Sequence, residues 1–282
     1  MEPRHHRVRW AAPDGFHDLA WAHWGSPSLP RQAVCVHGLT RTGRDFDALA
    51  RQLVLHGWQV ACPDLPGRGA SDRMANPMLY LPPVYLGAIT HLLAALGWRD
   101  VGWVGTSLGG IIGMLGASLP GTPIARLVLN DIGPEVPEAA AQRIRTYLAK
   151  EMVFPDLPAL EAHLRRVHAP FGPLSDAAWW HLASTSARHR PDGQVELHYD
   201  PAIAAPFAAS NTPGTTLWPQ WQAITAPTLV LRGETSDLLP PEMLARMAER
   251  PGVETTTIPG CGHAPALMDW DQIARVCTFL DG

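Results

Sequence analysis

The sequence predicts an α/β protein with a mostly parallel sheet, interrupted by a helical insert. Three observations predict it. Apolar, β-branched runs alternate with segments whose hydrophobic residues recur at helical spacing, the rhythm of a parallel sheet flanked by helices. That rhythm lapses between Ile132 and about Trp221, where only helical stripes are found, and then resumes. With 282 residues, 46% hydrophobic and 17% charged, the chain supports one large core domain with an insertion. The expected core spans 1–133 and 222–282, and the insert 134–221, a size suited to a lid.

In chain order, "RVRWAAPDGFHDLAWAHWG" reads as a hairpin around Asp14-Gly15. "QAVCVHG" is a buried strand, after which Phe46, Leu49, Leu53 and Val54 mark a helix ended by Gly57. "WQVACPD" is the next strand, followed by the loop "LPGRGASDR". A helix from about Val84 to Leu96 closes at Gly97. "VGWVG" and "ARLVLND" are strands with a helix between them, beginning just after Ser107. In the insert, Ile144, Tyr147 and Leu148 form one stripe, and Leu157, Leu160, Leu164 and Val167 another, punctuated by prolines. Trp179 and Trp180 read as core of the insert. The strand "TLVLRGE", helix "EMLARMAER", strand "VETTTIPG" and helix "IARVCTFL" complete the pattern.

Composition narrows the function. A formal net charge of −4 gives no electrostatic case for nucleic acid or an anionic membrane. The segment "MEPRHHRVRWAAPDG" has no apolar stretch of the secretory type, and no run is long enough to span a bilayer. Cys35, Cys62, Cys261 and Cys277 are far apart and form no C-x-x-C pair, so buried free thiols are expected. A soluble, cytoplasmic protein acting on a small molecule is the expectation. A homo-oligomer is compatible with the sequence but not indicated by it.

Gly105-Thr106-Ser107-Leu108-Gly109 fits G-x-S-x-G between a strand and a helix. A bend this tight exposes its serine, and side chains two positions away would collide. The helix start also offers free N–H groups to a developing negative charge. A serine hydroxyl needs a base to take its proton, and His263 stands in a glycine-rich loop after the last strand, in "PGCGHAPALMD". The turn in "VCVHGL" can aim the Leu39 N–H toward a carbonyl oxygen, with the Leu108 N–H as the second donor.

With these residues the chain resembles the α/β-hydrolase fold family through "VHGLTRTGRDF", "PDLPGRGASD", "GTSLGG", "RGETSD" and "GCGHAP", in that family's order. The resemblance spans nearly the whole chain and implies an eight-stranded, mostly parallel sheet, with a cap where the insert lies. It assigns the nucleophile to Ser107, the base to His263 and the oxyanion donors to Leu39 and Leu108. The family's usual acid position falls on Ser236, with Asp237 one residue later, so the register slips there. Some members with a "DIGP"-like segment draw the acid from the earlier strand, which here ends at Asp131, and Asp131 is preferred over Asp237. His37 and Asp64 are expected to be scaffolding. Arg41 and Arg44, beside the oxyanion turn, are the candidates to select a carboxylate-bearing substrate, ahead of Arg143, Arg145, Arg165 and Arg166.

The expected chemistry is hydrolysis of an ester-like or activated carbonyl through an acyl-enzyme, with no organic cofactor and no metal required. The resemblance leaves open carbon–carbon bond hydrolysis, cofactor-free oxygenation and a non-enzymatic small-molecule receptor.

Overall fold

The computed structural model describes residues 1–148, 152–206 and 216–282, apart from the side chains of Arg145 and Tyr147. Its strands are β1 (Arg4–Ala12), β2 (Gly15–Trp24), β3 (Arg31–Val36), β4 (Trp58–Pro63), β5 (Val101–Thr106) and β6 (Ile124–Asn130), then β7 (Val153–Phe154), β8 (Ala187–His189), β9 (Val195–Leu197), β10 (Thr228–Gly233) and β11 (Val253–Ile258). Eight form one sheet in the order β1-β2-β4-β3-β5-β6-β10-β11. Only β2 runs antiparallel to its neighbours; from β4 to β11 every pairing is parallel.

The central strands are buried on both faces, and the core divides accordingly. Along β3, Val34 and Val36 enter one hydrophobic cluster while Ala33 and Cys35 enter the other. In β6 and β10, Leu127, Leu129 and Val230 face the first side, and Val128, Leu229 and Leu231 the second. Successive side chains point to opposite faces, so each of these strands needs cover on both. Helices α1 (Asp47–Leu55) and, near the C-terminus, α9 (Trp270–Asp281) cover one face through Leu49, Leu53, Val276 and Phe279. On the other lie α2 (Pro82–Leu96) and α3 (Leu108–Ala117), which contribute Tyr85, Ile89, Leu92 and Ile112. Each such side chain contributes about 1.5–3 kcal/mol by leaving water.

Small departures from the sequence-based expectations have local causes. The first hairpin turns at Pro13-Asp14, because Gly15 already pairs with Ala12. Helix α2 begins two residues early, with prolines in its first turn, where no N–H partner is lost. Between β6 and β10 the chain forms α4 (Glu138–Leu148), α5 (Leu157–Val167), α6 (Asp176–Ser186) and α7 (Trp218–Ala223). It also forms a small antiparallel sheet, β7-β9-β8, where only helices were expected. Strands of two or three residues are too short to show a period.

Leu160, Leu164, Trp179 and Leu182 build a separate apolar cluster there. Trp180 and Val167, expected in it, are about half exposed instead. Leu148 is buried, Ile144 is half-buried, and the side chain of Tyr147 lies outside the described residues. All four cysteines are buried and free. Among the described residues no helix is long and apolar enough to cross a membrane. After β10, α8 (Pro241–Ala248) leads to β11.

Candidate active site

The C-terminal ends of β3, β5, β6 and β10 meet at one edge of the sheet, and the candidate residues gather there. At the end of β5 the chain reverses into α3 through Ser107, whose φ of 51° lies in the left-handed region. Such a backbone costs a residue with a side chain about 1–3 kcal/mol and needs its surroundings to enforce it. Here the enforcement is steric. A Cβ on Gly105 would stand 2.3 Å from the Gly109 carbonyl oxygen, and one on Gly109 would stand 1.9 Å from that of Val36. Both obstacles are main chain and cannot rotate away. The Ser107 N–H donates to the Asn130 carbonyl at 3.0 Å, pinning the bend to the end of β6.

Asp131, the next residue, also has a positive φ, 58°. Its side chain is fully buried and accepts from the Gly233 N–H at 2.8 Å through Oδ1. Its Oδ2 accepts from His263 Nδ1 at 2.7 Å and from Ser236 Oγ at 2.6 Å. Ser236 Oγ in turn accepts from the N–H groups of Leu238 and Leu239, so its own proton points at Asp131. An acceptor-only carboxylate at Nδ1 leaves Nε2 of a neutral imidazole as the acceptor. Nε2 lies 3.0 Å from Ser107 Oγ. Ser107, His263 and Asp131 therefore form one unbroken hydrogen-bonded chain.

Asp237 lies apart from it. Its carboxylate is 52% exposed and is gripped by both ends of the Arg143 guanidinium fork at 3.0 Å. Of the two carboxylates singled out in the sequence, Asp131 is the one that reaches the imidazole.

Beside Ser107, residues 38–41 form a tight turn closed by the Arg41 N–H on the Gly38 carbonyl. A Cβ on Gly38 would lie 3.8 Å from that of Ser107, so the turn abuts the serine directly. Among the described residues, neither the Leu39 N–H nor the Leu108 N–H has a protein acceptor. Leu108 opens α3, where a free amide is expected.

The turn is held from behind. Leu65 donates its N–H to His37 Nε2, so the His37 proton sits on Nδ1 and is donated to the Gly38 carbonyl. Burial pushes the His37 pKa down to about 3, which keeps the ring neutral. Arg68, also fully buried, donates to the Leu39 carbonyl at 2.9 Å and to the Tyr85 hydroxyl. Asp64 accepts from the N–H groups of Gly43 and Ala70, while burial raises its pKa to about 6. His37 and Asp64 thus act as the scaffolding expected of them.

A cleft opens next to the turn, lined by Gly38, Arg41 and Thr106 on one side and by Phe171, Leu182 and Pro265 on others. Arg41 faces it with its Nε and Nη2 held by Asp45. Arg44 does not line it; its guanidinium is bound to Asp47. Arg143 pairs with Asp237, Arg165 with Glu161 and Asp176, and Arg166 with His163. The side chain of Arg145 lies outside the described residues.

Two contributors were not singled out as site residues in the sequence. Ser236, marked there only as a slip in register, donates to the buried carboxylate. Asn130 donates to Thr106 Oγ1 and to the Pro265 carbonyl, tying the ends of β5 and β6 to the loop of His263. Its one signal is its place immediately before Asp131. Among the described residues no group of three or more His, Cys, Asp or Glu side chains is placed to hold a metal ion.

The comparisons agree with this fold. A 3-hydroxybutyrate-oligomer hydrolase of Cupriavidus necator is 40% identical, over 99% of this chain and 98% of its own. A crystal structure of an alpha/beta hydrolase from Novosphingobium aromaticivorans superposes with a TM-score of 0.87 at 38% identity, covering 99% and 98% of the two chains. A solved chain from Rickettsia typhi gives a TM-score of 0.91 at 28% identity, covering 99% of each. The model of the alpha/beta hydrolase family matches residues 33–276. With strand order, serine bend and sequence relatives in agreement, the chain belongs to the alpha/beta hydrolase family.

Proposed function

We propose that this protein is a serine esterase that cleaves short hydroxyacyl esters, oligomers of 3-hydroxybutyrate among them. One observation carries the mechanism: the relay from Ser107 through His263 to Asp131, with contacts of 3.0 and 2.7 Å. The substrate class rests on the likeness to the Cupriavidus necator hydrolase, which extends over both chains almost end to end.

In this reading Ser107 Oγ attacks the ester carbonyl as its proton passes to His263 Nε2. Asp131 holds the imidazole in the required tautomer and stabilises the imidazolium. The carbonyl oxygen, now anionic, takes hydrogen bonds from the Leu39 and Leu108 N–H groups, each contributing about 3 kcal/mol. The imidazolium then protonates the departing alkoxide. Water, deprotonated by the same nitrogen, releases the acid and restores the serine. Residues 134–221 act as the cap, bringing Phe171 and Leu182 over the cleft, and the cytoplasm is the proposed compartment.

The test is covalent labelling by a fluorophosphonate, together with hydrolysis of the 3-hydroxybutyrate dimer. Both should occur with the wild type, and both should vanish in Ser107→Ala. Turnover that survives in Ser107→Ala would remove the proposal; labelling without any ester turnover would favour a binding protein.

A further inference from the structure

We propose that Arg41 is the anchor for a substrate carboxylate, so that the enzyme removes hydroxyacid units from the free carboxyl end of its ester. The inference deepens the esterase reading above and rests on it.

A guanidinium offers two parallel forks. One pairs Nε with one terminal nitrogen, and the other pairs the two terminal nitrogens. In Arg41 the first fork is occupied, because Nε and Nη2 donate to Asp45 at 2.7 and 2.8 Å. The second is unused, since among the described residues Nη1 donates to nothing. The Arg41 side chain is only 5% exposed. That side chain nevertheless forms part of the cleft wall. The cleft's other basic side chain is His37, whose two ring nitrogens are both committed to main chain. Asp45, which lines the cleft as well, therefore fixes the plane of the guanidinium and leaves its second fork without a protein acceptor among the described residues.

The stem of Arg41 starts close to the nucleophile: the Arg41 Cγ and the Ser107 Cβ each stand 3.8 Å from where a Gly38 Cβ would be. In a 3-hydroxybutyrate oligomer the terminal carboxyl carbon is three bonds from the last ester oxygen. A carboxylate on Arg41 would hold that last ester beside Ser107, and the alcohol released would be the hydroxyacid itself. Arg44, bound to Asp47 and outside the cleft, is not part of this site.

The decisive quantity is a ratio, which general damage to the enzyme does not move. The 3-hydroxybutyrate dimer is compared with its methyl ester, in which the carboxylate is capped. The wild type should favour the free acid in kcat/KM by about tenfold to a hundredfold, the range of a charged hydrogen bond. In Arg41→Gln that ratio should fall to near one, with Arg41→Lys in between because it keeps the charge without the fork. A ratio unchanged in both variants, or no preference in the wild type, would overturn the proposal. Calorimetry on Ser107→Ala, with 3-hydroxybutyrate and its amide as probes, reads the anion site without catalysis. Binding of the acid that is lost in Ser107→Ala/Arg41→Gln supports the anchor even if no ester is turned over, in which case only the esterase reading fails.

Discussion

β6 and β10 are parallel neighbours, with Asn130 opposite Leu231, and both end at the edge where Ser107 lies. What each does next differs. Past β6 a single residue suffices: Asp131 takes a left-handed φ and turns a fully buried carboxylate onto His263. Past β10 the chain runs through Glu234 and Thr235 before Ser236 delivers a hydroxyl to that carboxylate, and Asp237 then points out to Arg143. The two strand ends supply two carboxylates, Asp131 and Asp237, that look alike in sequence. They are separated by desolvation and by donors. Asp131 is fully buried with three hydrogen-bond donors, whereas Asp237 is half exposed with one arginine. A buried carboxylate satisfied in this way holds an imidazole in place; a solvated one has no such constraint.

The largest effect expected from this contrast is that of Asp131→Asn. An amide that presents its N–H₂ to the imidazole favours the wrong tautomer, so turnover of p-nitrophenyl acetate at pH 7 should fall by about 10⁴-fold. Loss of less than tenfold would erase the distinction between the strand ends.

A sharper experiment moves the acid. Ser236 Oγ already lies 2.6 Å from the Asp131 oxygen that binds His263, so an aspartate at 236 extends its carboxylate toward that oxygen's place. Asp131→Ser/Ser236→Asp should recover about a hundredfold in turnover over Asp131→Ser alone, a coupling expected only of residues in contact. Equal activities of the double and single variants would show that the β10 end lacks the backbone geometry to serve.

This contrast also marks how far the sequence could be read. The alternation of strands and helices, the Ser107 bend and the His263 loop are legible in the sequence because each rests on local chemistry: apolar runs, obligatory glycines and a histidine in a loop. The choice between Asp131 and Asp237 is not local, because it depends on which carboxylate is buried, and that is decided by Gly233 and Ser236, 102 and 105 residues from Asp131. Arg41 and Arg44 looked alike for the same reason. Only the fold shows that one lines the cleft and the other does not. The β7-β9-β8 sheet leaves no such signal, because strands of two or three residues are too short to display alternation.

Burial of polar groups predicts a smaller effect, on stability. His37 and His23 have pKa values lowered by burial to about 3 and about 4. The unfolded chain therefore takes up their protons first, and stability is lost as pH falls below 6.5 toward those values. Asp64 acts the other way: with its pKa raised to about 6, the folded state is protonated first, and stability grows as pH falls from 6 toward 3.8. Burial lowers His163, His168 and His198 in the same direction, so the histidines outweigh the aspartate and the net change from pH 7 to pH 5 is a loss of at least about 2 kcal/mol. Thermal melts at the two pH values should show a lower Tm at pH 5; a flat or rising profile would mean that these rings are not held neutral.

The smallest effect belongs to Asp237→Asn. Its ion pair with Arg143 lies between side chains that are 52% and 50% exposed. Such pairs contribute about 0–1 kcal/mol, because water screens them and holding two side chains in one geometry costs entropy. Turnover should stay within about twofold of wild type, and the melting temperature should shift by no more than about 2 °C. A loss approaching that of Asp131→Asn would mean that the end of β10 swings inward during the reaction and exchanges its hydroxyl for its carboxylate. Measuring kcat separately from KM would expose such a swing, since an acid recruited only in the transition state lowers kcat and kcat/KM together and leaves KM unmoved.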